Sequence, residues 1–133
     1  MAMQLNRSTD YAIQMLLYLA KEGKTVSSSK LAASMGVSHR YLLHISAKLR
    51  AAGFIRAAYG SAGGLKLAKA PEKISLYDII LSVEGTVQTG EIRGIPAEEI
   101  KQELFMLEKE YRSVNNILKQ AFMESTLAKI LEK

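Results

Sequence analysis

The side chains with the clearest chemistry project from the first two turns of a predicted helix over residues 38–52. They are hydroxyl, imidazole and guanidinium groups, which form hydrogen bonds: Ser38, His39, Arg40 and His44. A helix of this kind fits the major groove of duplex DNA, where base edges present a readable pattern of donors and acceptors. We therefore predict that this helix contacts DNA, and that Arg40 pairs with guanine or, as most such hydrogen bonds do, with a phosphate.

Further candidate contacts lie on this helix and on the helix before it. The preceding helix opens with hydroxyls and amide hydrogens that can hold a phosphate, at Ser28, Ser29 and Lys30. Within the helix over 38–52 the predicted set also includes Tyr41 and Lys48. Lys48 and Arg50 lie further along, and their charges either contact the DNA backbone or are simply solvated.

A glycine-rich hairpin over residues 56–69 follows. Its second strand alternates apolar and basic residues, which is typical of a half-exposed strand. The glycine loop does not match a nucleotide-binding motif, because a strand and not a helix follows it. We interpret the hairpin as a wing whose tip lies close against DNA. Its predicted contacts are Arg56, Tyr59, Gly60, Ser61, Gly63, Gly64 and Lys66.

Charge is distributed unevenly along the 133 residues. Residues 1–75 carry eleven Lys and Arg against three Asp and Glu, a net charge of +8, whereas residues 76–133 carry seven against ten, a net charge of −3. A basic front and an acidic back indicate that the front meets a polyanion such as double-stranded DNA.

Other kinds of chemistry find little support. The chain contains no cysteine, which excludes disulfides, thiolate metal sites and thiol redox chemistry. His39 and His44 lack further ligands for a zinc site, and no nucleophile with an oriented partner indicates an enzyme. No apolar run is long enough to span a membrane, and the start carries no secretory signal. We expect a cytoplasmic protein with no metal or cofactor.

Periodicity and capping residues predict a mainly α-helical fold with a small β-hairpin. The residues from Ser8 to Asp10 are expected to cap a first helix, which Gly23 ends. The second and third helices, joined by a tight turn at Gly36, match a helix-turn-helix. Ser75 is expected to cap a fourth helix and Ser125 a short final one.

A long helix near the C-terminus, expected to start at Pro96, carries apolar residues in alternating steps of four and three. They are Ile100, Leu104, Leu107, Tyr111, Val114 and Leu118. At ~1.5 Å per residue this helix is a rod of roughly 40 Å. The stripe either covers the same chain or, as we predict, forms a homodimer interface that joins two DNA-binding domains on a palindromic site.

The chain then divides into a winged helix-turn-helix DNA-binding domain (3–85), a linker loop (86–95) and a dimerisation helix with a short terminal helix (96–133).

Several motifs resemble one bacterial family in the same order. They are Asp10-Tyr11-Ala12, Leu31-Ala32, Ser38-x-x-Tyr41-Leu42, Leu49-Arg50-Ala51-Ala52-Gly53-Phe54-Ile55, Gly60-x-x-Gly63-Gly64-x-x-Leu67-Ala68, Ile74-Ser75-Leu76-Tyr77-Asp78-Ile79 and Val83-Glu84-Gly85. Over roughly residues 3–85 the chain resembles the Rrf-two (Rrf2) family of winged-helix transcription regulators. The resemblance implies a homodimeric DNA-binding regulator, usually a repressor, that contacts DNA through its third helix and its wing.

The chain departs from that family pattern in three places. Many members hold an iron–sulfur cluster with three cysteines between the fourth and fifth helices, and the span 86–95 has none. A Glu-Gln pair common on the recognition helix is Leu43-His44 here, so a known operator does not carry over. The Arg-Gly pair that often opens the wing, with its arginine in the minor groove, is Tyr59-Gly60 here. That contact therefore does not carry over, and we expect Lys66 or Arg56 to supply the charge instead.

Two functions remain open at this point. The first is a sequence-specific DNA-binding regulator. The alternative is a protein-interaction module on a winged-helix scaffold with little DNA affinity, which the replaced wing arginine and Leu43 keep open. The sensed signal is either a small molecule bound between the winged body and the long helix or a partner protein.

Overall fold

The helices and the hairpin follow one another along the chain in the predicted order. The computed structural model describes residues 4–88, 90, 94 and 98–132. Its elements are α1 (Arg7–Glu22), α2 (Ser28–Met35), α3 (His39–Ala51), β1 (Ile55–Ala58), β2 (Gly64–Leu67), α4 (Leu76–Glu84), α5 (Lys101–Glu124) and α6 (Leu127–Leu131). Single 3-10 turns precede α4, at Pro71–Lys73, and α5, at Glu98–Ile100. The predicted mainly helical fold with a small hairpin is confirmed.

One hydrophobic core orients α3. Leu42, Ile45 and Leu49, three or four residues apart, are buried on one side of that helix. Burying a leucine or isoleucine side chain is worth about 1.5–3 kcal/mol relative to exposure, so this stripe fixes which face of α3 reaches solvent. The other fully buried large apolar side chains of this core come from α1, α2, α4, α6 and the segment before α4: Met15, Leu16, Leu19, Leu31, Ile74, Ile79 and Leu127.

The start of α1 corrects a prediction. The helix begins at Arg7, with Asn6 as an N-cap residue that makes no side-chain cap bond, and Ser8 to Asp10 lie inside the first turn. The Glu84 carboxylate at the end of α4 satisfies this terminus instead. It accepts hydrogen bonds from the backbone N–H of Asn6 at 2.8 Å and from the buried Thr9 hydroxyl at 2.6 Å. A carboxylate is favourable at the positive end of a helix, so a long-range contact replaces the expected local cap.

The hairpin is fixed to the body by a third strand-like segment. β1 and β2 pair antiparallel, and Arg56 lies opposite Lys66. On the other edge of β2, the Val26 amide donates to the Leu65 carbonyl at 2.9 Å and the Leu65 amide donates to the Val26 carbonyl at 2.8 Å. The wing therefore leaves the body at a set angle beside the start of α2.

Gly64 lies where β2 comes closest to the segment before α2. Its φ is +152°, and a Cβ atom there would collide with the backbone of Val26 and Ser27. Glycine at this position therefore allows the backbone approach that pairs β2 with Val26.

The C-terminal segment packs against the winged body. The Leu127 amide donates to the Ile74 carbonyl at 2.9 Å, and the Leu76 amide donates to the Ser125 carbonyl at 2.8 Å. The residue that caps α6 is Thr126 and not Ser125 as expected. The three-part division of the chain stays a prediction, and α6 shares the core of the winged body because Leu127 is fully buried.

The long helix α5 has 24 residues, and none of its side chains is buried. One of its edges lies near α4, where the Lys119 ammonium is 5.4 Å from the centre of the Tyr77 ring. The expected helix start at Pro96 lies outside the described residues. Within the part of the chain that the structure describes, no helix has the length and apolar character needed to cross a membrane.

Candidate nucleic-acid interface

The face of α3 opposite the core carries the predicted hydrogen-bonding groups. His39, Arg40, His44 and Lys48 are all exposed. Ser38 is the N-cap residue, and its hydroxyl accepts a hydrogen bond from the Tyr41 amide at 3.1 Å. The cap defines the start of the helix, so the side chains that follow it project in a fixed order.

Tyr41 differs from its neighbours because it faces α1. Its ring meets the Tyr11 ring edge to face, with the ring centres 5.7 Å apart and an interplanar angle of 83°. The ring is half-buried and packs against the core. A contact between Tyr41 and DNA stays a prediction.

The N-termini of α2 and α3 open side by side. The Ser28 hydroxyl and His39 Nε2 are 2.7 Å apart and form a hydrogen bond between the two helices. Ser27 caps α2 by accepting from the Lys30 amide at 3.2 Å, and both Ser29 and Lys30 are exposed. Two adjacent helix starts present free amide hydrogens and the positive ends of two dipoles, which suit a phosphate group.

The tip of the wing is a tight turn that points into solvent. The Gly63 amide donates to the Gly60 carbonyl at 3.0 Å and closes the turn. Tyr59 is 88% exposed, Gly60 and Ser61 are exposed, and Gly63 is half-buried, as Gly64 is in β2. The glycines that the sequence assigns to a hairpin tip therefore occupy that tip and the start of the strand behind it.

The strands of the wing place two cations opposite each other. Arg56 is exposed and Lys66 is half-buried, and the two are register partners across the hairpin. Like charges directly opposite each other disfavour a strand pair, so this arrangement favours the approach of an anion.

A groove of about 330 Å³ separates α3 from the wing. It is lined by Leu43, Ser46 and Arg50 of α3, by residues of the hairpin on both sides of its turn, and by Ser27 and Ser28. The periodicity of α3 predicts that Leu43 and Arg50 are outside the core. The periodicity does not predict that these two residues lie beside the wing, because the position of the wing depends on the pairing of β2 with Val26.

The cations around this groove form no ion pair with an acidic residue that the structure describes. The ion pairs seen among the described residues join Lys101 to Glu98 and Arg112 to Glu108, and both involve α5 or its start. No described acidic residue pairs with the cations of α3 or the wing. Their charge is available to an external polyanion.

The predicted seam on α5 divides into two sets in the structure. Ile100, Leu107 and Val114 are exposed, whereas Leu104, Tyr111 and Leu118 are half-buried. Tyr111 lies against Gly90, where a Cβ atom would collide with the phenol ring. Exposed apolar side chains outside the predicted seam are Phe105, Met106, Ile117 and Met123.

A second depression, of about 480 Å³, lies between α5 and the residues that follow α4. Its lining is mostly polar: Gln88, Gly90, Glu108, Tyr111, Arg112, Asn115 and Asn116. The depression is close to where the sequence predicts an effector, between the winged body and the long helix.

Comparison with known proteins identifies a family. A family model described as "Rrf2: Iron-dependent Transcriptional regulator" matches residues 5–133. The HTH-type transcriptional regulator NsrR of Halalkalibacterium halodurans is 35% identical over 88 residues, which are 65% of this chain and 60% of that protein. The matched segment thus spans less than two thirds of the relative's length.

Solved structures share the fold over almost the whole chain. CymR, the global cysteine regulator of B. subtilis, aligns with a TM-score of 0.77 at 21% identity, covering 96% of this chain and 95% of that one. The oxidised form of Staphylococcus aureus CymR aligns at 0.70 and 28% identity, covering 98% of each chain. T. potens IscR aligns at 0.69 and 26% identity, covering 98% of this chain and 87% of that one.

The family description names iron, and a thiolate-held iron–sulfur cluster does not fit the donor groups of this chain. Protein iron–sulfur clusters are held mainly by cysteine thiolates, and the sequence contains no cysteine. Among the described residues, no group of three His, Cys, Asp or Glu side chains is arranged to hold a metal ion.

Proposed function

Because the chain belongs to the Rrf2 family of transcription regulators, we propose that it binds a palindromic operator as a homodimer and represses transcription there. The observation that carries this proposal is the pairing of α3 and the wing across one groove, bordered by cations that no described acidic residue neutralises. A helix and a β-ribbon side by side can contact the major groove and the flanking backbone of one duplex.

In this proposal α3 enters the major groove by its N-terminal half. His39, Arg40 and His44 then reach base edges or phosphates, while the adjacent start of α2 holds a backbone phosphate through its amide hydrogens. The Ser28–His39 hydrogen bond keeps the two helix starts together before DNA arrives, so little ordering is left for binding.

The wing contributes charge from its strands and contact surface from its tip. A phosphate close to Arg56 and Lys66 relieves the repulsion between these register partners. Tyr59 occupies the place where an arginine often stands in the family, and its almost fully exposed ring can lie against sugar or backbone.

A homodimer through α5 accounts for the apolar side chains that the chain itself leaves uncovered. Leu107 and Val114 are seven residues apart on one edge of the helix, and both are exposed. Joining two winged domains raises the effective concentration of the second domain once the first has bound. It also lets the pair contact half-sites about one turn of DNA apart.

The chemistry of regulation in this chain does not pass through a thiolate-held cluster. We place a small-molecule effector in the polar depression beside Tyr111, because the side-chain amides and the Arg112–Glu108 ion pair that line it suit a polar molecule. A partner protein is the alternative source of the signal. The relatives named above are transcription regulators, so we assign no enzymatic activity.

A mobility-shift titration with the protein's own promoter region tests DNA binding directly. We expect a specific complex whose logarithmic affinity falls linearly with the logarithm of salt concentration, by about 0.9 for each neutralised phosphate. A protein-interaction module on the same scaffold would give no specific shift. A complex with a flat salt response would contradict the role of the cationic surface.

A further inference from the structure

Leu43 is an exposed leucine in the middle of a polar, cationic surface. It is 44% exposed on the outward face of α3. Arg40 lies three residues before it and Ala47, also exposed, four residues after it, so the three side chains are neighbours on one face of the helix. The centre of the proposed DNA-contacting face is therefore apolar, and polar groups flank it.

This apolar centre is not accounted for by packing within the described chain. Leu43 lines the groove beside Ala57 and Ala58 of the wing, yet the groove stays open and almost half of the leucine surface remains in solvent. Neither a phosphate nor a hydrogen-bonding base edge gains from a leucine. Among the groups that base pairs show in the major groove, the C5-methyl group of thymine is the one that an apolar side chain suits.

We propose that Leu43, with Ala47 beside it, contacts a thymine methyl group in each half-site and selects thymine at that position. The inference rests on the proposed DNA binding and adds a specificity-determining residue to it. The neighbouring cations set the register of α3 on the backbone, and the Leu43–methyl contact distinguishes thymine from bases that lack the methyl group.

Deoxyuridine tests the contact because it differs from thymidine only by the absent methyl group. High-affinity duplexes are first selected from a random-sequence pool, and each thymine is then replaced in turn by deoxyuridine at fixed salt. Losing one buried methyl contact is expected to weaken binding about fourfold. The effect is expected at a single thymine of each half-site, and the two thymines should be related by the symmetry of the site. In Leu43→Ala, which leaves only the Ala47 contact, the same replacement is expected to have a much smaller effect on affinity.

Leu131→Ala is the matched control, because Leu131 is 39% exposed on α6, outside the proposed interface. It should keep the full sensitivity to deoxyuridine, and Leu43→Met, which keeps an apolar side chain, should keep much of it. Circular dichroism shows whether each variant is folded.

Three results would overturn the inference. One is the absence of any thymine whose methyl group matters to the wild type. Another is a methyl effect of undiminished size in Leu43→Ala. The third is a selection that yields no duplex bound specifically, which would overturn the proposed function as well, whereas the first two leave DNA binding intact.

Discussion

Arg40 lies on the outward face of α3, and its guanidinium makes no ion pair with a described residue. The residue types of this face and its direction both follow from the sequence, because Leu42, Ile45 and Leu49 determine which side is buried. The Ser28–His39 hydrogen bond does not follow, since it depends on how α2 and α3 pack together. The sequence therefore predicts which face of α3 carries each side chain, but not which side chains of other helices it contacts.

Replacing Arg40 by alanine should weaken operator binding about five- to tenfold at fixed salt and lower the salt slope by about one, as expected for one lost phosphate contact. Titrations at several salt concentrations measure both quantities. Lys129→Ala removes an exposed cation from α6, outside the proposed interface, and should change neither. Equal affinities for the wild type and Arg40→Ala would remove Arg40 from the interface.

At the scale of elements, the sequence predicts helices, caps and the hairpin from local signals. Ser75 and Asp78 form a reciprocal capping box at the start of α4, where Ser75 was expected to cap. The contacts that position these elements are long-range and carry no local signal. Glu84 meets the start of α1 from 78 residues away, and Val26 pairs with the wing although the whole helix-turn-helix lies between them in the chain. The groove of the candidate site arises from the second of these contacts.

Gly64→Ala tests how far the wing depends on its close approach to Val26. The added Cβ collides with the Val26 carbonyl, so β2 must shift and we expect a loss of roughly 1–3 kcal/mol in the free energy of unfolding. Denaturant titration followed by circular dichroism measures it.

Gly53→Ala is the control, because Gly53 also has a positive φ, +83°, but a Cβ there meets nothing within 4 Å. Its cost should be limited to the backbone strain, about 1 kcal/mol. Equal losses for the two variants would show that the approach to Val26 adds nothing to stability.

At the scale of the whole molecule, α5 is distinguished among the described α-helices because none of its side chains is buried. Its heptad spacing is visible in the sequence, but the split of the seam between own-chain packing and exposed surface is not. That split depends on where α4 and Gly90 lie along the helix. Own-chain packing accounts for part of the half-buried set, and the exposed set is what we assign to a second copy.

Leu107→Asp should convert the proposed dimer into monomers in sedimentation experiments, because a charge at an apolar interface is costly unless it is paired. Phe105→Asp is a matched control: Phe105 is also exposed, but two residues along a helix place it about 200° away on the opposite side. A dimer that survives Leu107→Asp and dissociates with Phe105→Asp would move the interface to that other face.

The paired backbone hydrogen bonds between the residues around Ser75 and those around Thr126 have a mechanical consequence. They fix the C-terminal end of α5 to the N-terminal end of α4, and the other end of α4 binds the start of α1 through Glu84. A tilt of α5 would therefore rotate the winged body with it as a rigid unit. In a two-fold assembly such a rotation would change the distance between the two copies of α3. A change of a few ångströms would then separate that distance from the spacing of successive major grooves on the DNA.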